Sequence, residues 1–457
     1  MSLFTQRLLG VLAGGGVALP AVGSLIMDFD PASIAQADNS AVATWTDSVS
    51  GIVANQGTGA NQPTLKLNSL GTNPAVVFGG THWLPIATPG AMGTAFTAKN
   101  YTVLFVLDNV TANTNGAVFG GGAGGDSLHF SATGSTIGRY SGSHTVMEVP
   151  ATGTAAPATF HTFGCTSVAS GYPYGPNPAR ERLFVRGMPV HHKPSAPPAA
   201  AATFALGSLS SAGIASFNLK GRLYRMLMWN RELTIAEMLQ AEIYLCTKYG
   251  QPLPWAAKSA FVVYDGDSIS AAVGGTGPTN CWPYISAVSG NSLSYGQFMV
   301  TSVGGITKAG ILSKQVELMG IPAQVGKRMV YAVFEYYNDR ALTGAANYSL
   351  LQGLITGIKS GANAGYDIKT VIGDSTSSGA DPDANRASLD SLLTTTPLGD
   401  QAVFMSVDAT MGVSGAAATN FPTFFNSDGS TFVHPTDAGY ALLAPYWTPK
   451  IAAAIAM

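Results

Sequence analysis

The sequence predicts a β + α/β molecule: an N-terminal β-sandwich followed by a three-layer α/β/α domain with a parallel sheet. Three observations carry that prediction. From about Ser24 to Gly250, short β-rich runs are cut by Gly/Asn/Ser turns, the pattern of a sandwich. Beyond residue 258, near-continuous apolar runs alternate with helical stretches, which implies a parallel sheet covered on both faces. Between the two, Gln251-Pro-Leu-Pro-Trp255 cannot continue a helix, and residues 251–258 read as a linker.

Residues 1–23 form a separate N-terminal segment. Arg7 is followed by uncharged residues from Leu8 to Met27. Two readings stay open, an unprocessed secretory signal peptide with Ala21-Val22-Gly23 as its cleavage site and an ordered arm that docks onto a neighbour. Three adjacent glycines and Pro20 argue against a membrane helix.

In the sandwich the strongest strand is Tyr101–Asp108. Others are expected at Ala75–Phe78, Ser127–Phe130, Thr159–Phe163, Arg182–Arg186, Ala215–Leu219 and Gly221–Trp229. Pro189–Ala202 is Pro/Ala-rich and reads as a loop, with His191-His192 solvated. The region closes on a helix. Thr234-Ile-Ala-Glu237 is a capping box, apolar residues follow at helical spacing, and Gly250 supplies a left-handed stop. In the second domain, strands are expected at Phe261–Tyr264, Gln297–Thr301, Met329–Phe334, Lys369–Ile372 and Ala402–Ser406. Helices are expected at Leu350–Lys359, Asn385–Leu393 and Ala438–Ala456.

Composition narrows the function classes. Charged residues are 11% of the 457-residue chain, against about 25% in an ordinary domain. The apolar fraction of 46% is enough for a sizeable core, so disorder is excluded. A net charge of −2 leaves no electrostatic footprint for nucleic acid and no basic patch for anionic membranes. Three cysteines are too few for a disulfide framework, and no Cys/His cluster suggests zinc.

The chemistry sits at the expected strand ends of the second domain. Ser268, in Tyr264-Asp-Gly-Asp-Ser-Ile-Ser270, follows the first strand, where a nucleophile would be exposed. A serine hydroxyl needs a base to take its proton, normally histidine. Of seven histidines, His434 alone lies beyond residue 250. Acyl transfer also needs donors for the developing oxyanion. Gly304-Gly305 follows the second strand and Asn338 the third. Asp267 reads as a residue that bonds its own turn, and Gly373-Asp-Ser375, after the fourth strand, as an ordinary turn.

Gly266-Asp-Ser268, Gly305, Asn338 in Tyr337-Asn-Asp339, and His434-Pro-Thr-Asp-Ala-Gly-Tyr440, in that order, resemble the four blocks of the SGNH (GDSL-type) hydrolases. The resemblance covers residues 259–457. It implies a flavodoxin-like fold, Ser268 as nucleophile, His434 as base, and an oxyanion hole of Ser268, Gly305 and Asn338, with no metal or cofactor. The chain departs from the pattern twice. Tyr336 stands where the family has glycine, and Thr431 where it has its aspartate. Asp428 is taken as the orienting acid, with Asp408 as an alternative, Asp437 as a helix-capping residue, and an acid-free Ser–His dyad still open.

Trp45-Thr-Asp-Ser-Val-Ser-Gly51, Pro74–Gly80 and Met228-Trp-Asn-Arg-Glu-Leu-Thr234 through Lys248-Tyr-Gly250 resemble concanavalin A-like (laminin G-like) modules. That implies a jelly-roll over residues 24–250 and a glycan partner. Together the two resemblances imply a serine esterase removing ester groups, O-acetyl first among them, from a polysaccharide. They also imply a virion (phage tail) or extracellular location, virion neighbours held through the N-terminal arm, and a homo-oligomer, a trimer among the options. The competing readings are a non-catalytic adhesin or virion structural protein, and a secreted bacterial esterase.

Overall fold

The computed structural model describes residues 17–108, 116–121, 128–132, 136–141, 144–150, 161–170, 179–193, 203–210, 212–213, 218–267, 269–271, 280–335, 337–339, 341–373, 384–403 and 434–457. The chain parts into two compact units between Leu253 and Pro254.

The first unit is built on antiparallel sheets. One has eight strands, ordered Met188–Lys193, Arg180–Val185, His161–Val168, Tyr101–Asp108, Lys220–Trp229, Asn73–Gly79 and Thr64–Leu70, with Leu25–Phe29 also paired to Lys220–Trp229. The second has six, ordered His144–Pro150, Thr136–Ser141, Leu128–Ala132, Ala117–Gly121, Phe204–Leu206 and Leu84–Ile86. Phe105 of the first and Phe119 of the second lie 6.3 Å apart between ring centroids, so apolar side chains of the two sheets meet in the core. All three cysteines of the chain, Cys165, Cys246 and Cys281, are buried.

The closing helix runs from Ile235 to Lys248. Its capping box is formed: Glu237 N donates to Thr234 Oγ1 at 3.2 Å, and Thr234 N to Glu237 Oε2 at 2.9 Å. Gly250 takes φ +64°, the left-handed stop. One expectation is overturned. Met188–Lys193 is a strand where a loop was expected, and His192 is buried rather than solvated. The strand lies at the sheet edge, where a proline costs no ladder bond; Pro189 pairs with Phe184. Of the strand expected at Ala215–Leu219, residues 215–217 lie outside the described residues, and Asn218 makes an isolated bridge to Ala117.

The second unit carries a five-stranded sheet. Its strands are β1 (Ala260–Gly266), β2 (Phe298–Val300), β3 (Arg328–Phe334), β4 (Ile368–Gly373) and β5 (Gln401–Val403). Their order is β2-β1-β3-β4-β5, every pair parallel. Helices α1 (Trp282–Tyr284, continuing into a π-helical turn), α2 (Lys308–Lys314), α3 (Ile321–Val325), α4 (Gly344–Ile358), α5 (Ala384–Thr395) and α6 (Asp437–Ala456) surround it.

Side-chain alternation along the strands assigns the two faces. Tyr264 and Phe334 meet Trp282 of α1, which stacks on Trp447 of α6 at 4.4 Å. Asp265 and Tyr331 face the other way, towards Lys314 and Gln315 at the end of α2. The sheet is therefore covered on both sides. Its order reverses direction between β1 and β3, and the crevice at the carboxyl ends of those two strands is where such sheets hold ligands.

Candidate active site

The carboxyl end of β1 bends sharply against β3. Gly266 has φ +145°, and a Cβ there would stand 2.1 Å from the Phe334 carbonyl oxygen. Only glycine fits that approach. Asp267 comes next and is wholly buried. Its Oδ1 accepts the Ile269 N–H at 2.9 Å, so it does bond its own turn. Its Oδ2 is buried with no hydrogen-bond partner among the described residues. Burial drives the Asp267 carboxyl up to about 7, against the pull of Lys308. Ser268 itself lies outside the described residues.

The chain after β2 stays beside β1. Thr301 N donates to Tyr264 O at 2.9 Å and Val303 N to Gly266 O at 3.0 Å. The turn at Gly304-Gly305 follows, with Gly305 at φ +73°, a conformation that favours glycine. Thr307 then caps α2, its hydroxyl accepting from Gly310 N at 3.2 Å.

Asn338 sits in a 3₁₀ turn (Tyr337–Asp339) just past β3. Its Nδ2 donates to Ile306 O at 2.9 Å, which brings it beside the Gly305 turn. An amide nitrogen carries two hydrogens, and this bond uses one. The structure thus brings together two of the residues expected to hold an oxyanion, at the β1/β3 crevice.

His434 is half-buried and stands just ahead of α6. Thr436, not Asp437, caps that helix, through a 3.3 Å bond to Gly439 N. Asp437 lies in the first turn and accepts from Asn280 Nδ2 at 3.1 Å. Asp428, Asp408, Thr431, Tyr336 and the Asp374-Ser375 pair lie outside the described residues. Among the described residues, no group of three His, Cys, Asp or Glu is arranged to hold a metal ion.

Sequence reasoning missed what lies under these turns. Lys308, at the start of α2, is wholly buried. Its Nζ reaches Glu335 Oε2 at 2.7 Å and Asn347 Oδ1 at 3.0 Å. Its backbone N–H donates to Asp339 Oδ2 at 2.6 Å. Glu335, directly after β3, also accepts the Asn338 N–H through Oε1 at 3.0 Å. Burial pushes the Glu335 carboxyl up to about 8, with Lys308 opposing and Asp267 and Asp339 adding to the rise. Six residues on, Lys314 is buried too, bonded to Asp265 and to Thr301 O. The available signal was the scarcity of charge. In so uncharged a chain, Lys308 and Lys314 flank Ile311 on one helix face, and acids stand at strand ends to meet them.

No protein-family model and no curated protein matches this sequence. Among solved structures, domain 4 of an extracellular arabinanase from Geobacillus stearothermophilus, in complex with arabinotriose, is similar over 47% of this chain and 96% of that one, at 13% identity and TM-score 0.34. A proposed acylhydrolase from Bacteroides fragilis is similar over 44% of this chain and 89% of that one, at 17% identity and TM-score 0.31. A Trypanosoma rangeli sialidase is similar at 14% identity and TM-score 0.35, over 54% of this chain but 38% of the sialidase, so this chain spans well under half of it. Likenesses of this size transfer neither family nor activity.

Proposed function

We propose that the chain is a serine esterase acting on a glycan ester. Ser268 Oγ attacks the ester carbonyl as His434 takes its proton. The oxyanion is held by the amides of Ser268 and Gly305 and by the second N–H of Asn338 Nδ2. The tetrahedral intermediate collapses, the C–O bond to the sugar breaks, and His434 passes its proton to the leaving alkoxide. Water, deprotonated by His434, then cleaves the acyl-enzyme and releases the acid. Asp428 is assigned to orient His434.

The observation that carries this reading is the 2.9 Å bond from Asn338 Nδ2 to Ile306 O. It joins the loops after β2 and β3, which carry the second and third motif blocks, beside the turn after β1 that leads to Ser268. The strand order β2-β1-β3-β4-β5 supports a flavodoxin-like hydrolase fold. The antiparallel sheets of eight and six strands support a jelly-roll module for the first unit.

Ser268→Ala is expected to lower hydrolysis of p-nitrophenyl acetate by at least about 10³-fold, as loss of a nucleophile does. An unchanged rate would sink the esterase reading and leave a non-catalytic adhesin. Acetate release from an O-acetylated polysaccharide, and its loss in the same variant, tests the substrate. The same reading puts the chain on a phage tail or outside the cell as a homo-oligomer, a trimer among the options. Immunogold labelling of virions and light scattering test those two points.

A further inference from the structure

We propose that Glu335 is a positioning residue for the oxyanion donors, holding the Asn338 turn through Oε1 while buried Lys308 fixes its carboxylate through Oε2. The proposal rests on the esterase reading of the same site and names residues that reading does not use.

Two segments carry the donors: Gly304–Lys308, from the end of β2 into the first residue of α2, and Glu335–Asp339 after β3. Three hydrogen bonds between described residues join them. Lys308 Nζ meets Glu335 Oε2 at 2.7 Å, Lys308 N meets Asp339 Oδ2 at 2.6 Å, and Asn338 Nδ2 meets Ile306 O at 2.9 Å. Asn347 of α4 braces both sides, with Oδ1 on Lys308 Nζ at 3.0 Å and Nδ2 on Asp339 O at 3.3 Å. Side-chain exposure of Lys308 and of Glu335 is 0%.

A wholly buried ion pair is a weak source of stability, because desolvation offsets most of its attraction. Apolar pairs of the same volume often replace buried ion pairs without loss of stability. What an apolar pair lacks is an acceptor for the Asn338 N–H. Donors for an oxyanion act only when they are fixed before the charge develops. The Asn338 turn is three residues long, and among the described residues its backbone N–H at Asn338 is held by the side chain of Glu335. A displacement of about 1 Å at a catalytic donor costs on the order of 10²-fold in rate.

The test compares two double variants, both free of buried charge at this pair. Lys308→Met/Glu335→Gln keeps an oxygen acceptor for the Asn338 N–H, and Lys308→Met/Glu335→Leu removes it. With p-nitrophenyl acetate, the Gln variant is expected within about fivefold of wild-type kcat. The Leu variant is expected to fall about 10²-fold, with KM within about twofold in both. A merely structural role would lower both alike or leave both intact, and either result overturns the proposal.

Amide exchange of Asn338, read by NMR on the same proteins, needs no turnover. It is expected to be faster in the Leu variant than in the Gln variant by about tenfold or more, while the strands keep wild-type protection. Equal exchange overturns the proposal even if the enzyme is active. If wild type shows no Ser268-dependent hydrolysis, the esterase reading fails on that count, and exchange still decides whether Glu335 holds the turn.

Discussion

The two units bury charge in different ways. In the sandwich, arginines grip carboxylates as forks. Arg225 meets both oxygens of Asp28 at 2.8 and 2.6 Å, and Arg180 meets both of Glu232 at 2.9 and 2.8 Å. Such forks fix direction as well as charge, and here they tie distant stretches of one module. In the α/β unit, the Lys308 ammonium faces Glu335 at 2.7 Å and Asp339 at 3.8 Å and is felt by Asp267. At Asp267 and Glu335, burial disfavours the charged form more than Lys308 favours it, so protons are retained. The Asp267 carboxyl rises to about 7 and that of Glu335 to about 8, burial being the main cause in each. Perturbed carboxyls of this kind gather at functional sites. The forks serve the fold, whereas the lysine cluster lies beneath loops proposed to do chemistry.

The largest expected effects come from removing one partner of each arrangement. Arg225→Met strands Asp28 and is expected to cost about 3–5 kcal/mol in urea unfolding at pH 8, whereas Lys308→Met is expected to cost less, because Glu335, raised to about 8 even with the lysine present, keeps its proton. The comparison predicts that they then diverge. Arg225→Met should leave kcat of the folded enzyme within about twofold of wild type, because Arg225 bonds Asp28 and Tyr244 of its own unit, while Lys308→Met should lower it. Equal losses of kcat would erase the distinction between the units. The Lys308→Met deficit should also shrink at pH 5, where Glu335 and Asp267 take up protons and no longer need a cation.

The retained protons make a smaller prediction with a definite sign. Asp267 and Glu335 have folded-state pKa values of about 7 and about 8, above the ordinary carboxyl range. Between the unfolded and folded values the native state binds more protons, so these groups make stability fall as pH rises from about 4 to about 8. Asp267→Asn removes one of them and keeps an oxygen for the Ile269 N–H. It is expected to be more stable than wild type at pH 8 by about 1–4 kcal/mol, with the gain gone at pH 4. A gain of the same size at both pH values would show that the carboxyl holds no proton.

The sequence was legible where a signal is local or repeated. The runs Phe261–Tyr264 and Met329–Phe334 stand out because strands buried on both faces must be apolar throughout, and both fall inside observed strands. Tyr101–Asp108 coincides with its strand, every residue of which is buried. The fourth-strand helix partner α4 was expected from Leu350 but begins at Gly344, because its first turn is Gly-Ala-Ala and shows no apolar period; the Thr343 cap marks the start instead. The face Lys308, Ile311, Lys314 looks solvated by composition and is buried, since the acids that satisfy it arrive from β1 and β3. Gly305 and Asn338 could be listed from motif order, but that Asn338 is bonded to the very next residue after Gly305 is a fact of the fold. The same long-range dependence hid Glu335, whose partner is 27 residues away.

The smallest effect belongs to the best local signal. Thr234→Ala removes the acceptor for the Glu237 N–H at the start of the Ile235–Lys248 helix. The other half of the box survives, because Thr234 N still donates to Glu237 Oε2 and Arg231 Nη1 holds the same oxygen at 3.0 Å. The cost is therefore expected near about 1 kcal/mol, restored by Thr234→Ser, and read as a shift of the urea midpoint. The printed bonds of that cap all lie within the first unit, so kcat should not move. A change in kcat with Thr234→Ala, absent from Thr234→Ser, would mean that the sandwich governs the site, and the separation between stabilising forks and a positioning lysine would have to be given up.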